Sequence, residues 1–117
     1  MSAAVDHLYD TVLALRDADP QRSRTAKLFR EGMPKMAKKL AEEAAEVALE
    51  AVQGHRREVL LESADLLYNL CVLWAQAGLK PAEVWAELER REAMMGVAEK
   101  LPKSAQGRAS QGQASAA

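Results

Sequence analysis

The chain contains little that would place it outside the cell, in a membrane or on nucleic acid. It has one cysteine among 117 residues, Cys71, so no disulfide forms within the chain. Aromatic residues make up 4%, and Tyr68, Trp74 and Trp85 read as core or interface residues rather than a base-stacking surface. Neither sign of charge is in excess: 16 basic against 17 acidic residues give a net charge of −1. A whole-protein basic field for nucleic acid is therefore not expected. No long hydrophobic run exists. The nearest, Val59 to Ala77, is broken by Glu62, Asp65 and Asn69 and makes a poor membrane span. Residues 1–20 lack a basic flank followed by an apolar run, so no secretory signal is expected and the location is expected to be cytoplasmic. His7 and His55 have no second histidine at ligand spacing, and the turn Gly32–Lys35 is too short for a Walker-type phosphate loop. Sustained β alternation and internal repeats are both missing.

What remains is 49% hydrophobic, 28% charged and rich in alanine, leucine and glutamate. Such a chain is globular and leans helical, with length for one core. Apolar spacing predicts a helix from Val5 to about Asp17, closed by Asp19-Pro20. Residues 21–34 are mixed, with room for a short helical turn around Ala26–Arg30. A strong helix is expected from about Pro34 to Gln53, ending at Gly54. Another is expected from Arg56 to Ala77, stopped by Gly78, and a last one opens at Pro81. Residues 102–117 have no large apolar side chain to offset their ordering entropy. The expected organisation is one all-α domain over 1–100, a bundle of four to five helices, and a disordered tail over 101–117.

The segment 58–77 is apolar nearly all round. Glu58, Glu62, Asp65, Asn69 and Gln76 share a sector of about 60° on an ideal helix. A helix of this kind needs partners on most sides, and in so small a domain part of that surface is expected to meet a second copy. A homodimer, or a dimer of dimers, is the natural assembly. Glu62 and Asp65 then sit one above the other among leucines. They require a raised pKa, a basic partner or bound cations.

In the preceding helix, Glu42, Glu43, Glu46 and Glu50 occupy a sector of about 100°. A short connection at Gly54 makes the two helices antiparallel neighbours, with the two acidic turns at matching heights. Two readings stand at this point: a solvated acidic face, or four to five carboxylates converging on hard divalent cations. Oxygen-only ligands suit magnesium or manganese rather than zinc.

The stretch 38–51, KKLAEEAAEVALEA, followed by 62–79, ESADLLYNLCVLWAQAGL, resembles phosphoribosyl-ATP pyrophosphatases, a histidine-biosynthesis family within the all-α, MazG-like NTP pyrophosphatases. The superfamily pattern EExxE…ExxD is met by Glu42-Glu43-x-x-Glu46 and Glu62-x-x-Asp65. Asp19-Pro20, Ser23-x-Thr25-Ala26-x-Leu28-Phe29, Gly32, Lys39 and the ADLLY-x-L-x-V-L run resemble the histidine-pathway branch, and the likeness covers about residues 8–92. The chain departs from the pattern at Arg24, Ala41 and Asn69, where the family commonly has tyrosine, glycine and histidine.

The resemblance implies hydrolysis of phosphoribosyl-ATP to phosphoribosyl-AMP and pyrophosphate, cut between the α and β phosphates, with magnesium or manganese. It implies Glu43, Glu46, Glu62 and Asp65 as metal ligands, and Glu42 as a fifth ligand or the base that orients water. Lys39, with Lys38 and Lys27, would contact phosphates; Ser23, Arg24 and Thr25 would meet phosphate or ribose. Asn69 would hydrogen-bond substrate or a water at the metal. Arg24 and Asn69 keep a second reading open, a house-cleaning pyrophosphohydrolase for other nucleotides. A third, from another class, is a non-catalytic helical dimerisation module.

Overall fold

A computed structural model describes residues 2–99, and among them the chain forms five helices and no strand. These are α1 (Ala3–Ala14), α2 (Arg24–Glu31), α3 (Met33–Val52), α4 (Arg56–Ala77) and α5 (Pro81–Glu99). The described residues divide into two units, one ending at Glu83 and the other beginning at Val84. The tail expected at 101–117 lies outside the described residues. No described helix is long and apolar enough to cross a membrane.

In the first unit α3 and α4 make the most extensive packing, α1 lies on α4, and α2 touches both α3 and α4. The core is small. Val5, Tyr9 and Val12 of α1 are buried, as are Cys71, Val72, Trp74 and Ala75 of α4. Ala26 and Leu28 come from α2 and Met36 from α3. The Tyr9 hydroxyl donates to the Leu79 carbonyl at 2.7 Å, which satisfies the polar end of a buried ring.

Two elements differ from the sequence expectation. The first helix was expected to reach Asp17, but α1 ends at Ala14. The chain then tightens through i→i+3 bonds, Arg16 N–H to the Leu13 carbonyl at 3.2 Å and Ala18 N–H to the Leu15 carbonyl at 3.1 Å. Asp19 Oδ1 accepts from the Gln21 N–H at 2.9 Å and starts the turn around Pro20.

The mixed segment 21–34, expected to hold at most a short turn, contains the eight-residue helix α2. Ser23 caps it, its Oγ accepting from the Ala26 N–H at 3.0 Å. Burial of Thr25, Ala26 and Leu28 against the α3–α4 pair supplies what local propensity does not.

A single residue, Gly32, separates α2 from α3, with φ 88° and ψ −176°. That combination is open almost only to glycine, and it sets the angle between the two helices. Helix α4 keeps the expected bounds, and Gly78 ends it in the left-handed conformation at φ 78°. In the second unit, Glu87 accepts from Arg90 and Arg91, which together hold its carboxyl down to about 2.

Candidate functional site

The α3–α4 hairpin positions the acidic turns. Between the helices lie only Gln53, Gly54 and His55. Glu50 Oε1 and His55 Nδ1 approach to 2.7 Å across this connection. Helix periodicity then carries Glu46 and Glu43 back along α3 while Glu62 and Asp65 advance along α4.

Carboxylate oxygens of Glu43, Glu62 and Asp65 lie within 4.8 Å of one another. Glu43 and Glu62 are half-buried and Asp65 is exposed. Glu46, on the exposed side, faces Glu62 closely: the Glu62 carboxylate raises the Glu46 pKa above the ordinary carboxylate range, and Glu42 adds to the rise. Glu62 is raised in turn, first by its contact with Glu43 and then by loss of hydration. The acidic residues of both expected turns are therefore brought together. Glu43, Glu62 and Asp65 form the centre, Glu46 stands against Glu62, and Glu42 lies one turn before Glu46 at the edge.

The chemistry of this cluster is compatible with a bound cation. Oε1 of Glu43 is buried and has no hydrogen-bond donor. Two carboxylates at this range share a hydrogen bond only when one of them carries a proton. With both ionised, a buried acceptor faces other acceptors, which is costly unless a cation sits among them. Hard oxygen donors alone, with no sulfur or imidazole, fit magnesium or manganese.

The expected substrate residues divide three ways. Lys27, Lys39 and Arg24 line one cleft of about 230 Å³ beside α2, together with Leu28, Glu31 and Lys35. Lys38 is exposed and is not among the residues lining that cleft. The remaining three make bonds inside the protein. Ser23 caps α2. Thr25 is buried, its hydroxyl 2.6 Å from that of Tyr68. Asn69 is only 2% exposed and donates from Nδ2 to the Asp65 carbonyl at 2.9 Å.

Sequence reasoning read Tyr68 as a core or interface residue, and it set Lys35 in or beside the acidic sector without giving it a role in the site. Tyr68 follows Asp65 by three residues, on a neighbouring part of the α4 surface, and its ring lies 4.8 Å below the Arg24 guanidinium. It thereby ties α2 to the acidic turn of α4. Lys35 precedes Lys39 by one turn on α3, a spacing that already marked it as sharing a face with that lysine.

An antiparallel helical pair holding a half-buried carboxylate cluster beside a cationic cleft fits the all-α class of enzymes that act on phosphate anhydrides. A profile of the phosphoribosyl-ATP pyrophosphohydrolase family matches residues 5–92, and the chain belongs to that family. It is 64% identical over 104 residues to phosphoribosyl-ATP pyrophosphatase 2 of Rhodopseudomonas palustris, covering 89% of this chain and 79% of the relative. It is 63% identical over 105 residues to the protein of the same name from Bradyrhizobium diazoefficiens, covering 90% and 78%. With the phosphoribosyl-ATP pyrophosphatase of Azospirillum brasilense the identity is 54% over 99 residues, 85% of this chain and 89% of the other.

Proposed function

We propose that this chain hydrolyses phosphoribosyl-ATP to phosphoribosyl-AMP and pyrophosphate, the second step of histidine biosynthesis. The observation that carries the reading is the buried, donor-less Oε1 of Glu43 within the Glu43–Glu62–Asp65 cluster of a chain matching this family over residues 5–92. Residues 1–100 form the catalytic domain in this reading, and the enzyme works in the cytoplasm.

Glu43, Glu46, Glu62 and Asp65 hold magnesium, or manganese in its place. The bound cation supplies charge neutralisation and Lewis acidity at the phosphate oxygens. Without it, the cluster would repel a triphosphate. Glu42, at the exposed edge, accepts a proton from the attacking water or adds a further oxygen ligand. Lys39, one turn before Glu43, and Lys27 face the phosphates as cations, with Arg24 beside them. Thr25 and Asn69 act from within, Thr25 by holding Tyr68 and Asn69 by bonding to the backbone of Asp65. Lys38 and Ser23 remain candidates for contact with substrate, Lys38 from the exposed face of α3 and Ser23 from the start of α2. In-line displacement needs little more of the protein than positioning and charge.

The chain assembles as a homodimer or a dimer of dimers through the apolar side chains that the hairpin leaves at its surface.

The test is pyrophosphate release from phosphoribosyl-ATP with and without magnesium. Hydrolysis should require the metal, and Asp65→Asn should lower kcat by at least about a hundredfold, a loss typical of removing a group that stabilises transition-state charge. Full activity in that variant, or hydrolysis of other nucleotides in preference, would overturn the reading.

A further inference from the structure

The cationic cleft and the acidic cluster are consecutive stretches of one face of α3. Lys35, Lys39 and Glu43 stand at i, i+4 and i+8, so Lys39 lies about 6 Å and Lys35 about 12 Å from Glu43 along the axis. Four cations line the cleft, Arg24, Lys27, Lys35 and Lys39, against one carboxylate, Glu31. Glu31 forms no ion pair with any of them; the described Arg–carboxylate pairs are those of Glu87 with Arg90 and Arg91. Positive charge is thus concentrated in a space of about 230 Å³, with Glu31 as the one carboxylate among its described lining residues. Arg24 is also held in place: its guanidinium lies 4.8 Å over the Tyr68 ring, and the Tyr68 hydroxyl is fixed 2.6 Å from Thr25 Oγ1. A cation fixed before binding loses less side-chain entropy when an anion arrives.

We propose that this cleft is a phosphomonoester site and takes the 5-phosphate of the ribosyl group on phosphoribosyl-ATP, with Lys35 and Lys27 as its outer cations and Glu31 as the charge that limits its affinity. The inference rests on the substrate proposed above and deepens it. That substrate carries phosphate at two ends. Its triphosphate reaches the carboxylates only through divalent cations. Its monophosphate needs a site with positive charge of the protein's own, and the cleft supplies one. Lys35 is the α3 cation farther from the cluster, which places it at the end away from the bond that breaks. The cleft then selects phosphoribosyl-ATP over ATP, which has no second phosphate end.

The experiment uses the full chain with magnesium and three variants, Lys35→Ala, Lys35→Arg and Glu31→Gln, each checked for an unchanged melting temperature. Wild-type hydrolysis of phosphoribosyl-ATP tests the underlying reading by itself. For the cleft, Lys35→Ala should raise KM for phosphoribosyl-ATP about tenfold, the loss of one charge-assisted contact, with kcat within about twofold. Inhibition by the product phosphoribosyl-AMP should weaken by the same factor while inhibition by pyrophosphate does not change. Lys35→Arg should restore both, and Glu31→Gln should tighten both KM and phosphoribosyl-AMP inhibition. Calorimetry with ribose 5-phosphate in chelator gives the direct arm: binding is expected without metal, weaker in Lys35→Ala and tighter in Glu31→Gln. If Lys35→Ala leaves KM and phosphoribosyl-AMP inhibition unchanged, the proposal is overturned. Equal weakening of pyrophosphate inhibition would overturn it in favour of a site for the leaving group. An active wild type that binds no ribose 5-phosphate would remove the cleft and keep the reaction; an inactive wild type would remove the reaction.

Discussion

Glu43 is the most constrained side chain of the site. One oxygen is shut away from water with no donor, while Glu62 and Asp65 crowd the same space. The metal-free protein therefore folds against carboxylate repulsion, which a cation or a neutral partner relieves. Glu62→Gln tests this without any substrate. Its amide removes one charge and offers a donor to Glu43, so the metal-free variant should melt no lower than the wild type. Millimolar magnesium should raise the wild-type melting temperature and leave the variant's unchanged, because only the wild type binds the ion in its native state. Thermal melts in chelator and in magnesium give both values.

The glutamates themselves were legible from spacing along the chain. Tyr68 was not, because its partners are Arg24 and Thr25, more than forty residues earlier and on another helix. Its place also gives the departure at Arg24 a physical reading. The flat Arg24 guanidinium stacks over the Tyr68 ring and adds its charge to the cleft.

Among the helices, α2 and the joint that follows it matter most for the cleft. Gly32 is the whole connection to α3. A Cβ built there would meet only Pro34 Cδ, at an ordinary 3.8 Å, so space does not exclude alanine. The backbone does, since φ 88° with ψ −176° is strained for any residue with a side chain. Gly32→Ala should cost about 1–3 kcal/mol, the range for such strained conformations, read from the denaturant midpoint. It should also raise KM more than it lowers kcat, because it shifts Arg24 and Lys27 on α2 against Lys35 and Lys39 on α3 while the α3–α4 carboxylates stay together. The α4 bounds, Arg56–Ala77, were readable because cap and periodicity agreed, and Gly78 stopped the helix. The extent of α2 was not, because its stability comes from burial of Thr25, Ala26 and Leu28 rather than from its own composition.

For the molecule as a whole, the hairpin has several exposed apolar side chains among the described residues. Val52 is 86% exposed, Leu49 61% and Leu60 53%, and Leu61 and Leu67 are exposed as well. Single exposed leucines are ordinary, but these lie on the two most extensively packed helices, and they are the side chains that the proposed assembly would cover. Each large aliphatic side chain covered there is worth about 1.5–3 kcal/mol. Replacing Val52 and Leu60 together by lysine should reduce the mass in analytical ultracentrifugation from a multiple of 12.8 kDa to that of one chain. An unchanged mass would place the interface elsewhere, and a monomeric wild type would remove the dimer.

Order along the chain sufficed for the all-helical class, most helix limits and the pairing of EExxE with ExxD, because a periodic pattern dictates which residues share a face of their own helix. Which oxygen ends up shielded, how Tyr68 braces Arg24, and where positive charge collects all depended on faces of different helices meeting. Those meetings follow from the short Gln53–His55 connection that folds α4 back on α3, from the turn at Gly32 that sets α2 against α3, and from burial between the helices. All are properties of the packed molecule, and periodicity within a single helix carries no record of them.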